Sequence, residues 1–168
     1  MNRLVVLIAF LVGLSVPAWA TETQSSFKDD AGLSQASRFL VGDITSDAEI
    51  PEKADYKTNW LEGLAKRLTD RKILAETSDP AAIAINARIT HYEEGNAWAR
   101  WGTFGAALQT KAHVIATLVR GGQEIGVVEV NQRERGPGLN TIGAWHYIFR
   151  QAAETVVFEI EKKMGTDR

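Results

Sequence analysis

The chain of 168 residues contains no cysteine. That excludes disulfides, a thiol nucleophile and the lipidated cysteine of a lipoprotein anchor. Histidine occurs only at positions 91, 113 and 146, on separate segments and without an i, i+4 pair, so the expectation is no metal site. Charge of either sign is not in excess: 19 Lys and Arg face 21 Asp and Glu. Nucleic acid is therefore not an expected partner, since phosphate binding needs clustered basic side chains. No G-x-S-x-G, P-loop or G-x-G-x-x-G occurs, and neither do repeats or low-complexity tracts. No cofactor is implied by any motif.

Only one long apolar run is present, at the start: MNRLVVLIAFLVGLSVPAWA. Arg3 supplies a positive start, Leu4 to Val16 an apolar core, Pro17 a break, and Ala18-Trp19-Ala20 the small-x-small pattern read by signal peptidase. This is the layout of a secretory signal, with cleavage expected after Ala20. The run falls short of the roughly 20 apolar residues that a membrane span needs, and no second one follows, so the mature chain is expected to lack a transmembrane segment and to be periplasmic. Residues 21–36 read as a polar leader, and 37–165 as a single domain of ordinary size.

RFLVGDIT (38–45) reads as a strand, and SDAEIPEKAD (46–55) as a loop. Tyr56, Trp60, Leu61, Leu64 and Leu68 then mark one face of a helix. KILAET (72–77) reads as a second strand, stopped by Ser78-Asp79-Pro80. Over 82–95 the sequence alternates: Ile83, Ile85, Ala87 and Ile89 point one way, Asn86, Arg88 and Thr90 the other. Ala112, Val114, Ala116 and Leu118 repeat the pattern, Gly121-Gly122 marks a hairpin, and 123–132 is the returning strand. Gly-Pro-Gly at 136–138 forbids regular structure. Trp145, Ile148, Phe149, Ala152, Ala153, Val156, Val157, Ile160 and Met164 follow a 3.6-residue period. Asn140 or Thr141 suits its cap, Lys162 and Lys163 its negative end, and Gly165 its stop. The expected fold is α+β: a mainly antiparallel sheet of four to five strands, ordered strand, helix, strands, helix, with both helices on one face.

Between two alternating strands lies GNAWARWGTFGA (95–106). Gly95, Gly102 and Gly105 permit backbone conformations closed to other residues, and these are the structural glycines of the connection. Trp98, Trp101 and Phe104 beside Arg100 form a candidate surface for a protein partner, a sugar ring or a lipid head group. The alternative is that two or three of these aromatics fold back to cap the sheet. Arg100 suits a phosphate or a stacked cation–π contact. Carboxylates for acid–base chemistry are scattered: Glu93 and Glu94 are adjacent on a strand and point to opposite faces, while Asp43 and Glu129 lie far off in sequence.

The stretch EEGNAWARWGTFGAALQTKAHVIATLVRGGQEIG (93–126) resembles the bacterial envelope family known as domain of unknown function 4410. The correspondence runs over Gly95, Arg100, Gly102, Gly105 and the strand to Val119. A glycine-rich loop (Gly136, Gly138) and a long C-terminal helix follow, so about residues 37 to 164 are covered. Many members are lipoproteins, which this chain without cysteine is not, and the family's D-x-x-T-G hairpin is here VRGGQEIG. The resemblance implies an α/β envelope domain and no established activity. The expected function is a periplasmic binding or adaptor domain that contacts an envelope protein or glycan. An envelope hydrolase is the alternative from another class, and a subunit that assembles through exposed sheet edges is the third reading.

Overall fold

In the computed structural model, residues 21–28, 31–76, 79–95, 110–134 and 144–165 are described. Five strands form one sheet in the order β1-β5-β4-β3-β2: β1 (Glu22–Phe27), β2 (Phe39–Ser46), β3 (Ile83–Glu93), β4 (Thr110–Arg120) and β5 (Gln123–Glu134). A short 3₁₀ turn, Glu52–Ala54, leads into α1 (Tyr56–Asp70), and α2 (Ala144–Lys163) follows β5. The sheet is mixed. β1–β5, β5–β4 and β4–β3 are antiparallel, whereas β2–β3 is parallel because α1 crosses over between them and returns the chain to the starting end.

The alternation read in the sequence is the burial pattern of the sheet. Ile83, Ile85 and Ile89 on β3 and Val114, Ala116 and Leu118 on β4 are fully buried, and Val128 and Val130 continue the row on β5. The two helices cover this inner face, α2 over β4 and β5 and α1 beside it over β2. Ile148, Phe149, Ala152, Ala153, Val156, Val157 and Ile160 are fully buried, as the 3.6-residue period requires. The cap positions Asn140 and Thr141 lie outside the described residues, as does the side chain of Trp145. On α1, Trp60, Leu64 and Leu68 are buried, while Leu61 turns outward. Asp55 starts this helix by accepting a bond from the Thr58 amide at 3.3 Å. Tyr56 meets Phe149, Arg150 bonds Glu62, and Arg67 bonds Glu161, so the two helices run side by side in the same direction.

Gly121 and Gly122 take φ of 57° and 80°, the left-handed pair that a two-residue hairpin demands. The opposite edge carries a bulge. Pairing of β2 with β3 shifts between Val41 and Ile44, and the Asp43 amide is held at 3.1 Å by the Asn86 side chain. A Cβ on Gly42 would collide with that same Asn86 oxygen and with the Ile85 carbonyl, so glycine is required there.

Two segments differ from the sequence reading. KILAET is not a strand over its described residues 72–76: among them only Leu74 makes a bridge, to Phe39, through Phe39 N–H to Ile73 O and Ala75 N–H to Phe39 O. Ile73 is buried and Leu74 is 40% exposed, so side-chain burial alternates here, but the described backbone finds a partner at this one bridge alone and no longer strand forms. In the segment read as a leader, residues 22–27 form an edge strand, β1. Its side chains are exposed except for half-buried Phe27, so it carries no apolar pattern, and main-chain bonds to β5 hold it. Gly126 leaves the space that Phe27 occupies, since a Cβ there would lie 2.6 Å from the ring. Thr23 donates to Glu159 at 3.0 Å and Lys163 sits over the Phe27 ring, tying β1 to α2.

Candidate functional site

Of the residues singled out in GNAWARWGTFGA, only Gly95 is described, half-buried just beyond β3. Trp98, Arg100, Trp101, Gly102, Phe104 and Gly105 lie outside the described residues. What bounds the segment is defined. β3 ends at Glu93 and β4 begins at Thr110, at the end of the sheet where α1 and α2 both start. A 2.6 Å ion pair between Lys53 and Glu94 ties the 3₁₀ turn to the same end.

On the inner face of that end, the Tyr92 ring stacks on Phe149 with centroids 5.7 Å apart, and Phe149 meets Tyr56 edge-on. Tyr92 opposes Ala112 in the pairing, and Thr110 is the next inward position on β4. The Tyr92 and Thr110 hydroxyls are both buried and without a hydrogen-bond partner among the described residues. Burial, assisted by the nearby Glu94 carboxylate, pushes the Tyr92 phenol up to about 12. An acid whose folded pKa is raised lends stability only while neutral. That stability is present below the ordinary value of ~10 and is lost as pH rises through the folded value. The difference in phenolate absorbance between the protein and Tyr92→Phe is expected to show a midpoint near pH 12 rather than ~10. Tyr92→Phe should also flatten the fall of stability above pH ~10. A midpoint at the ordinary value would mean that water reaches the hydroxyl.

The outer face of the sheet has no described helix over it and carries a ladder of polar side chains. Pairing of β3 with β4 shifts between Ile89 and His91, so Thr90 is an extra residue and His91 comes to stand opposite His113. Thr90 Oγ1 lies 2.6 Å from His113 Nδ1, and His113 Nε2 lies 3.6 Å from Glu129. His91 Nε2 is 3.1 Å from Glu93, which also accepts from Lys111 at 2.7 Å. The Lys111 bond first, and His91 second, hold the Glu93 carboxyl below its ordinary range. Arg88 faces Asp47 at 3.5 Å and Arg133 faces Glu22 at 3.6 Å. These exposed pairs contribute little to stability, since such contacts measure ~0–1 kcal/mol. They give the face a patterned set of donors and acceptors.

The apposition of the two histidines was not readable from sequence, where His91 and His113 simply lie on separate segments. β4 and β5 are joined by a two-residue turn that sets their first two pairs, up to the register shift between Val119 and Leu118, whereas β3 and β4 are joined by a long connection that sets none. Among the described residues no group of three or more His, Asp or Glu is placed to hold a metal. The scattered carboxylates stay scattered. Asp43 sits beside Asn86, seven residues down β3 from Glu93, which at ~3.3 Å per residue separates them by roughly 20 Å. Glu129 is two strands across and four residues down from Glu93, roughly 15 Å away. Glycosidase pairs stand ~5–10 Å apart, and none of these do.

No protein-family model matches the chain, and no curated protein does. Similar solved structures include the PelC dodecamer from Paraburkholderia phytofirmans, which aligns at 11% identity with a TM-score of 0.52 over 86% of this chain and 97% of that one. A point variant of that dodecamer aligns at 10% identity with the same TM-score and coverage. At such identity the likeness is one of fold.

Proposed function

We propose that this chain is a periplasmic binding domain of the bacterial cell envelope, an adaptor without chemistry of its own. The observation that carries this reading is the open outer face of the sheet. Its cross-strand ladder of Glu93, Lys111, His91, His113 and Glu129 presents donors and acceptors in fixed register with no described helix above them. At one end of this ladder the chain leaves β3 toward Trp98, Arg100, Trp101 and Phe104. Rigid strands that display polar groups in fixed register suit recognition of a protein surface or a glycan, and Trp98, Trp101 and Phe104, which follow β3 in sequence, are of the residue types that supply most of the energy at such surfaces. The signal-like start and the resemblance to an envelope family support the compartment. No described helix is long and apolar enough to cross a membrane.

Capture of partners from an envelope extract by the tagged chain tests the reading. Trp101→Ala is expected to reduce capture at least several-fold, since truncated aromatic hot spots lose ~2 kcal/mol or more, while the melting temperature stays within a degree or two. Unfolding of the variant would make Trp101 a core residue and end the assignment of 95–106 as the contact surface.

A second reading, self-assembly, is favoured by the oligomeric state of the similar structures: both are dodecamers. Light scattering on the chain across a range of concentrations tests it, and a monomer throughout would dismiss it.

A further inference from the structure

The two edges of the sheet are not alike. β2 is blunted twice: Ile73–Ala75 bonds to Phe39 at its start, and the Gly42–Asp43 bulge bends it in the middle. Natural sheets use such devices to prevent edge-to-edge pairing. β1 has none of them. Its pairing to β5 runs from Glu22 to Phe27 without a shift, contains no proline, and places no charge between Thr23 and Phe27.

We propose that β1 is a pairing edge for a second copy of this chain, joined antiparallel about a two-fold axis through Ser25 to make one continuous sheet. The main chain sets which residues face outward. Lys28 N–H bonds to Ile125 O at 3.0 Å, so Ser26, Gln24 and Glu22 share its direction toward β5. Thr23, Ser25 and Phe27 therefore turn their N–H and C=O groups to the edge that no described strand pairs with. A two-fold pair that bonds through these residues sets Ser25 against its own mate and Thr23 against the partner's Phe27. Gln24 then meets the partner's Ser26, and Glu22 stands opposite the partner's Lys28.

That last pairing selects the register. Glu22 and Lys28 lie on the same outer face, both are exposed, and the two-fold makes their contact twice. Lys28 has no ion pair among the described residues, and Glu22 has only a 3.6 Å contact with Arg133 on an exposed surface. Sliding the strands by two residues in the direction that brings Gln24 opposite Gln24 leaves both lysines beyond the pairing. The interface is a single short strand per copy, so the association is weak and depends on concentration. This inference gives the assembly reading a named surface and rests on it.

The chain has no native cysteine, so Ser25→Cys is a clean reporter. Cα atoms of a hydrogen-bonded antiparallel pair stand ~5.5 Å apart, inside the ~4.4–6.8 Å range that a disulfide spans. Residues 21–168 carrying Ser25→Cys are expected to cross-link into dimers on mild oxidation, whereas Asp43→Cys on the bulged edge is not. By sedimentation at low salt, Lys28→Glu is expected to raise the dimer dissociation constant about tenfold, and Glu22→Lys in the same chain to restore it. An oligomer in which Ser25→Cys fails to cross-link, or in which the charge swap restores nothing, overturns this pairing and leaves self-assembly standing. A strict monomer at every concentration ends both.

Discussion

Trp60→Ala is expected to lower the unfolding free energy by ~3–5 kcal/mol, the range measured for truncation of a fully buried Phe or Trp. Trp60 is the largest fully buried side chain among the described residues and lies on the α1 face that also buries Leu64 and Leu68. Removing the indole leaves a void in a layer where α1 packs chiefly on α2, and a void that the surroundings refill only in part adds to the lost burial. Domains of this size are stable by only ~5–15 kcal/mol, so the loss is a large fraction of that margin. Urea titration followed by far-ultraviolet circular dichroism reads the loss directly. Trp60→Phe is the informative companion. The indole Nε1 is buried without a hydrogen-bond partner among the described residues. Phenylalanine therefore removes an unsatisfied donor as well as some volume, and should cost less than ~1.5 kcal/mol. A loss below ~1 kcal/mol for the alanine variant would mean that α1 does not pack through Trp60.

That α1 and its buried stripe were legible in the sequence has a simple cause: a helix that buries one face must repeat apolar residues at its own period. The same holds for β3, β4 and α2, whose buried positions are those that the alternation and the 3.6-residue repeat select. β1 was not legible, because a strand held by main-chain bonds, with five of its six side chains exposed, needs no apolar pattern. ETQSSF is as polar as a leader. KILAET misled for the opposite reason: its apolar residues serve the exit from α1 and one bridge to Phe39, and a short apolar run does not reveal how many partners its backbone will find. The parallel pairing of β2 with β3 was implicit in the order strand, helix, strand. The candidate surface divides likewise. Residue types on the outer face were visible as the polar half of each alternation. Which of them meet depended on the Thr90 bulge, and no local residue choice announces that extra position.

Gly63→Val carries the other large expected effect, and it tests the spacing of the helix layer. A Cβ at Gly63 would lie 2.8 Å from the Arg150 carbonyl oxygen and 2.9 Å from its Cα. Both are main-chain atoms of α2, so no side-chain rotation relieves the contact and the helices must separate. Two effects oppose one another in the smaller substitution. In a helix interior, alanine is favoured over glycine by ~1 kcal/mol, whereas forced overpacking costs ~1–3 kcal/mol. Because the obstacle is backbone, the second wins, and Gly63→Ala should destabilise by roughly 1 kcal/mol despite its better propensity. Valine adds two methyl groups against the same atoms and lacks much of that propensity gain. Its expected cost is ~3 kcal/mol, at the upper end of the overpacking range. Separation of α1 from α2 would also strain the bonds of Glu161 to Arg67 at 3.1 Å and to Arg71 at 2.6 Å, which hold the far ends of the helices together. If Gly63→Ala instead raises the melting temperature, the helices are not in backbone contact at this crossing, and glycine is there for some reason other than space.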